Sequence, residues 1–310
     1  MIKPLGGTEL QYNLLQKYVD SKLLDNFQIT TSVPEKIPLA KNKINILWEQ
    51  NSYDQPNIHP WMQDASNHSK YDWYVFNSHW SAEKYRMFFK LPADKCTVIK
   101  NAIDNFPKIK TYKKGDPIKI IFHPTPWRGL NVMLGAMQLI KNKNITLDVY
   151  SSTEVYGDNF KKENDKTYQP LYKQAKKLSN VNYIGYKPNS YILEKMTDYQ
   201  IFAYPSIWEE TSCISAIEAM TAGLHMITTN YGALYETCSE WPVYVQYTDN
   251  YTRLAEGFAH AIDSLTSFLH EEGCQNHLQT QANFYKKFYS WEGRKEDWTT
   301  FLIGALNEKS

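Results

Sequence analysis

The apolar positions at the start of the chain keep a helical period. Leu10, Leu14, Leu15, Tyr18, Val19 and Leu23 recur every three or four residues, as on one face of an α-helix. Thr8 followed by Gln11 forms a capping-box pattern, so the spacing predicts a helix from about residue 8. Shorter runs rich in β-branched and aromatic residues follow in FQITTSV, KINILW and DWYVFNS, and the helical pattern SAEKYRMFFKL comes after the last. Alternating strands and helices predict an α/β layer domain. The stretch NAIDNFPKIKTYKKGDP then reads as a hinge, with a boundary near Lys108 to Lys114. Beyond it the alternation restarts in IKIIFH, LNVMLGAMQLI, ITLDVYS, LYKQAKKL and VNYIGY. It continues through YQIFAYPS, ISAIEAMTAG, HMITTN and a long helical region around LAEGFAHAIDSLTSFLHEEG. Parallel strands with crossover helices bind ligands at strand carboxyl ends, so the loops after IKIIFH, VNYIGY and YQIFAYPS are expected to face one cleft.

Length and charge narrow the class. A chain of 310 residues suits two domains of moderate size. A net charge of +1 leaves no broad electrostatic footprint for nucleic acid. Cys96, Cys213, Cys238 and Cys274 lack CxxC spacing, which points to neither a zinc site nor a disulfide framework and suits a reducing compartment. No apolar run is long enough to span a bilayer, and the first residues lack the pattern of a signal peptide. The expected location is the cytoplasm, either free or peripheral to a membrane.

Chemistry concentrates in YPSIWEETSCISAIEAMTAG, where Glu210 and Glu218 are separated by seven residues. If the strand ends near Pro205 and the helix begins near Ser212, Glu210 lies in the loop and Glu218 inside the helix. The N–H groups of Thr211, Ser212 and Cys213 then suit a diphosphate, Glu218 a ribose and Glu210 a sugar. From spacing alone, a surface helix with one solvated and one capping glutamate is the simpler reading. Gly6-Gly7 poses a similar choice between a ligand loop and a plain helix start, because only Met1 to Leu5 precede it where a buried strand is normal.

The surrounding residues change that balance. Pro205-Ser206, Glu210, Glu218, Ala219-Met220 and Gly223, followed by Gly232 and Glu236 in HMITTNYGALYE, resemble the signature of the retaining glycosyltransferases of family 4, which have the GT-B fold. The likeness extends to VNYIGY, FHPTPWRGLNVML, FNSHWSAEKY, VIKNAID and the closing YSWEGRKEDW. It implies two Rossmann-like α/β domains facing across a cleft, the N-terminal one shortened. Residues 1–110 would form the acceptor-side domain and 111–285 the nucleotide-sugar domain, with 286–310 a helix crossing back.

Carried over by residue, the resemblance gives Glu210 the donor sugar and Glu218 the ribose, and makes Glu210 and Arg128 catalytic. Thr125, Thr211, Ser212 and Cys213 join the donor contacts, Tyr186 follows Gly185 where the family meets the nucleobase, and Gly7 faces the donor. The family's positive pair falls on His123 and Arg128, a departure at His123, which suits a core histidine equally well. If His123 meets phosphate, activity is expected to rise as it protonates at lower pH. On the acceptor side the likeness points to Glu49, Gln50, Asn77 and His79, with Gln50 where family members often carry a histidine. For Ser78 and Ser81 helix capping is the plainer role. The aromatic run Tyr71, Trp73, Tyr74, Phe76 and Trp80 reads mainly as core.

No Asp-x-Asp occurs in the sequence, which argues against the other large glycosyltransferase architecture, where paired aspartates hold a metal. The implied reaction is metal-independent and cofactor-free. A sugar passes with retention from a nucleoside diphosphate sugar to the hydroxyl of a glycan, lipid, protein or modified nucleic-acid base. The leaving diphosphate would take the acceptor proton, and the domains would close on the donor. The rival readings are a noncatalytic sugar-nucleotide or glycan-binding module, and a sugar-nucleotide epimerase or phosphorylase of the same fold. The donor base stays open.

Overall fold

A computed structural model describes residues 6–32, 37–109, 113 and 115–309. The question of a first strand in Met1 to Leu5, and the middle of the expected hinge, lie outside the described residues. The chain divides into two compact units. One comprises Gly7–Asp104, Glu210–Ile214 and the chain from Phe288 on; the other comprises Asn105–Glu209 and Ser215–Lys287.

The first unit opens with α1 (Gly7–Tyr18) and α2 (Ser21–Leu24), then β1 (Phe27–Thr31), β2 (Ile44–Glu49), α3 (His59–Gln63) and α4 (Ala65–His68). It continues with β3 (Trp73–Phe76), α5 (His79–Phe89) and β4 (Cys96–Val98). The four strands are parallel and lie in the order β1-β2-β3-β4. All six residues of β2 are buried, as expected where helices cover both faces of a parallel sheet. Ile44, Ile46 and Trp48 pack with α1 and the C-terminal helix, while Leu47 joins Tyr71, Tyr74, Tyr85 and Phe89 on the opposite face. Strand alternation therefore sends Glu49 to the Tyr85 side.

The capping-box reading of Thr8 and Gln11 is corrected. The helix begins at Gly7, and Gln11 is fully buried. Its amide donates to the Ala102 carbonyl at 2.7 Å and accepts from the Ala102 N–H at 3.2 Å. Thr8 therefore lies inside the helix and not at its N-cap, and the Gln11 amide is turned to the Ala102 backbone. Ser78 is the cap of α5, accepting from the Ser81 N–H at 3.0 Å.

The second unit contains β5 (Ile118–Phe122), α6 (Leu130–Leu139), β6 (Ile145–Val149), α7 (Asp158–Lys177), β7 (Val181–Tyr183) and α8 (Asn189–Lys195). There follow β8 (Ile201–Tyr204), α9 (Ile214–Thr221), β9 (His225–Thr229), α10 (Leu234–Cys238), β10 (Val243–Val245), α11 (Tyr251–Thr266) and α12 (Glu272–Phe288). Six parallel strands lie in the order β10-β9-β8-β5-β6-β7. Counted from β5, this is the doubly wound order of nucleotide-binding sheets, and the direction of winding reverses between β5 and β8. The last helix, α13 (Trp291–Lys309), belongs to the four-stranded unit, where Trp298 meets Trp48 edge-on with ring centres 4.7 Å apart.

The strands β4 and β10 were not predicted. Each has three residues and no fully buried face, so neither gives a hydrophobic alternation to read.

Candidate functional site

In an open parallel sheet the crevice for a ligand lies beyond the carboxyl ends of the strands at the point where the winding reverses. Here that point is bounded by the loop 123–129 after β5 and the loop starting at Pro205 after β8. The two loops are in close contact. Gly129 adopts φ +108°, and a Cβ built on it would stand 2.0 Å from the Pro205 carbonyl oxygen. Only glycine allows both the backbone angle and this approach. Arg128, one residue earlier, ends the short 3-10 turn Pro126–Arg128, and its guanidinium lies over the Trp208 ring at 5.6 Å.

His123 stands at the same strand end but has a different character. Its ring packs 5.1 Å from Phe202, its Nε2 has no hydrogen-bond partner, and burial lowers its pKa to about 4. The ring is therefore neutral at physiological pH, which favours the reading of His123 as a packing histidine over that of a charged phosphate donor. Nothing near it compensates the cost of burying a cation. Thr125 has a buried hydroxyl without a partner in the same loop.

Glu218 is 2% exposed inside α9, and burial raises its pKa to about 7, partly offset by Asn189, whose amide donates to it at 2.9 Å. Asn189 was missed from the sequence because nothing in its own neighbourhood marks it; only the packing of α8 beside α9 brings it there. Gly185 takes φ +78° after β7, with Tyr186 half-buried behind it. The helix begins at Ile214, two residues later than Ser212. The unpaired N–H groups of a helix belong to its first turn, so the donors expected at Thr211, Ser212 and Cys213 shift toward Ile214 and beyond.

A second polar group lies in the four-stranded unit. The Thr211 hydroxyl donates to the Gln50 carbonyl at 2.9 Å and accepts from Asn77 Nδ2 at 3.1 Å. Gln50 Oε1 accepts from Asn77 Nδ2 at 3.3 Å and from Asn101 Nδ2 at 3.1 Å. These bonds explain why Glu210–Ile214 groups with this unit. They leave Gln50 Nε2, Asn77 Oδ1 and Asn101 Oδ1 buried without partners, an arrangement of orphaned donors and acceptors suited to neutral hydroxyl groups or water. Gln50 and Asn77 were expected together; Asn101 was missed, since it follows the unpredicted β4.

The neighbouring Glu49 is fully buried with neither carboxyl oxygen paired. Burial raises its pKa to about 8, an effect that the nearby Tyr85 hydroxyl only partly offsets. The Tyr85 proton goes to the Asn51 carbonyl at 3.2 Å. Glu49 is thus chiefly a neutral acid at pH 7, a poor match for a general base.

Of the remaining expected residues, His79 is the exposed first residue of α5. Glu210 is 4% exposed and Cys213 5%. A Cβ on Gly7 would meet Ile214 Cδ1 at 3.2 Å, so the α1 start touches the segment that carries Glu210.

Two parallel α/β units, one with the doubly wound strand order and an arginine at its switch point, define a protein of the Rossmann class. The chain belongs to the glycosyl transferases of group 1, whose family model matches residues 104–269. Its structure is similar to that of a glycosyltransferase from Rickettsia africae, at 14% identity and a TM-score of 0.70, covering 99% of this chain and 84% of that one. Sucrose-phosphate synthase from Thermosynechococcus elongatus aligns with the same identity and TM-score, over 98% of this chain and 79% of its own. Anabaena HepE, solved in complex with UDP-glucose, aligns at 14% identity and a TM-score of 0.65, over 84% of this chain and 72% of its own. No curated protein matches the sequence. The fold is GT-B, with two Rossmann-like domains. No helix among the described residues is long and apolar enough to cross a membrane.

Proposed function

We propose that the protein is a retaining glycosyltransferase of family 4, which moves a sugar from a nucleoside diphosphate donor to an acceptor hydroxyl without a metal or other cofactor. The observation that carries this reading is the switch point. Gly129 packed on Pro205 holds Arg128 at the carboxyl end of the sheet, within the segment matched by the family. A permanent cation suits a diphosphate, and with His123 neutral it provides the fixed positive charge of this loop. HepE binds UDP-glucose, which makes uridine the first base to try.

Glu210 positions the transferred sugar, and Glu218 accepts from the ribose hydroxyls, with Asn189 fixing its carboxyl. In the transition state negative charge grows on the leaving diphosphate. Arg128 and the first turn of α9 stabilise that charge, and a phosphate oxygen takes the acceptor proton on the face from which the diphosphate leaves. The carbon–oxygen bond to the diphosphate breaks as the bond to the acceptor forms, and no covalent enzyme intermediate is required. The acceptor is a glycan, lipid, protein or modified base.

The test is a melting-temperature and hydrolysis screen over uridine and guanosine diphosphate sugars, run with and without a chelator. A bound donor raises the melting temperature with the logarithm of its concentration. Donor-specific stabilisation and slow hydrolysis that survive chelation support the reading, and an α-configured product from an α-configured donor supports retention. Stabilisation without turnover toward any acceptor would favour a binding module instead.

A further inference from the structure

A buried carboxyl needs a partner to fix its direction, and Glu218 receives one from outside its own helix. Asn189, the exposed first residue of α8, donates from Nδ2 to Glu218 Oε1 at 2.9 Å. Among the described residues it is the one side-chain hydrogen-bond partner of the Glu218 carboxyl. An asparagine at a helix start ordinarily bonds to backbone within its own segment. Here Pro188 is the N-cap without any side-chain cap bond, and the Asn189 amide crosses to α9 instead. The same residue closes a short, held loop. β7 ends at Tyr183, and the N–H groups of Ile184 and Gly185 both donate to the Val149 carbonyl at the end of β6, at 2.9 and 3.2 Å. Gly185 turns the chain at φ +78°, Tyr186 to Pro188 lead into Asn189, and α8 is anchored by buried Ile192 and Leu193. One hydrogen bond therefore joins the loop expected at the nucleobase to the carboxyl expected at the ribose.

We infer that Asn189 is a positioning residue that holds Oε1 of Glu218 so that Oε2 meets the ribose hydroxyls, and that it thereby sets a preference for ribonucleotides over deoxyribonucleotides. The choice of an amide has a chemical reason. A lysine or arginine in its place would neutralise the carboxylate and bring further N–H donors to the oxygens that the hydroxyls must reach. A neutral amide fixes the direction of the carboxyl and leaves its negative charge to strengthen each hydroxyl hydrogen bond. A deoxy ligand leaves that bond unmade at a desolvated carboxylate, so the discrimination is large. This inference rests on the donor-site reading above, and it adds the residue that makes Glu218 selective.

The experiment titrates UDP, GDP and their 2′-deoxy and 3′-deoxy analogues into the intact protein and into Asn189→Ala and Asn189→Asp. It is run at about pH 8.5, where Glu218, raised by burial to about 7, is ionised. The wild type should prefer the ribonucleotide about 10- to 100-fold over at least one deoxy analogue. Asn189→Ala should reduce that preference to within about threefold, chiefly by weakening the ribonucleotide, while deoxy binding stays within about twofold. Asn189→Asp keeps the shape but has no N–H to donate, so it should lose the preference at least as fully. In a Glu218→Gln background, Asn189→Ala should leave the remaining preference unchanged. Equal weakening of ribo- and deoxyribonucleotides by Asn189→Ala, or a wild-type preference in Asn189→Asp, would show a merely structural asparagine. An unchanged preference in Asn189→Ala overturns the inference while leaving the donor site standing. A wild-type protein that binds nucleoside diphosphates without regard to the ribose hydroxyls removes Glu218 from the ribose and the inference with it, and one that binds no nucleoside diphosphate overturns the donor-site reading as well.

Discussion

The two units place polar chemistry in opposite ways. In the six-stranded unit it sits on loops at the switch point, uses a permanent cation, and is fixed by backbone contacts such as Gly129 against Pro205. In the four-stranded unit the group around Gln50 is buried and built of neutral amides. Amides of Gln50, Asn77 and Asn101 hold one another, and Glu49 is kept neutral by burial. The difference teaches that the crevice at the reversal of winding lets a charged side chain reach a ligand, whereas a polar group packed inside the other unit lowers its cost by staying neutral and pairing.

The sharpest way to break this comparison is at Gly129. Gly129→Ala forces a Cβ to within 2.0 Å of a backbone oxygen at a φ of +108°. We expect a loss of several kcal/mol in stability, or displacement of the loop with loss of donor binding. Denaturant unfolding checks the first and UDP titration the second; an unaffected variant would show that the loops do not depend on this contact.

Arg128→Ala and Glu210→Ala should each lower turnover about a hundredfold or more, with the fold intact by circular dichroism. Near-normal rates in either would remove that residue from the proposed chemistry.

The neutral unit is tested by Glu49→Gln. A carboxyl with its pKa raised to about 8 binds a proton that the unfolded chain releases near the ordinary value of 4.5. Its contribution to stability is therefore fully present below about pH 4.5 and is lost as the pH rises to about 8. Glutamine keeps the shape and cannot ionise, so the variant should gain on the wild type across this window, on the order of 2–5 kcal/mol at its upper end. Urea unfolding at pH 5 and pH 8.5 gives the difference, and an equal gap at both values contradicts a buried neutral acid.

The smallest effect concerns His123. Because burial holds its pKa at about 4, His123→Phe should leave the shape of the rate profile between pH 5.5 and 8 unchanged. Loss of an acid limb in the variant would return the histidine to the phosphate.

Much of the six-stranded unit was legible in the sequence. The strands before His123, Gly185 and Pro205 are apolar runs bounded by turn residues, and the ends of β5, β7 and β8 fall where those runs stop. Arg128, Glu210 and Glu218 stood out because motif spacing is a local property. Trp208 was visible as a letter in that motif without a role, since a cation–π partner is defined by the meeting of two loops.

The sequence by itself determined the alternation of elements, the parallel α/β class and the position of the two glutamates in loop and helix. Each depends on neighbours within a few residues, where periodicity and backbone sterics act. Tertiary structure alone decided protonation and partnership. His123 becomes a neutral ring packed against Phe202, Gln11 turns from a helix cap into a clamp on Ala102, and Asn101 joins Gln50 from 51 residues away. Desolvation and hydrogen bonding depend on what the folded chain brings alongside a group, and no local pattern records that.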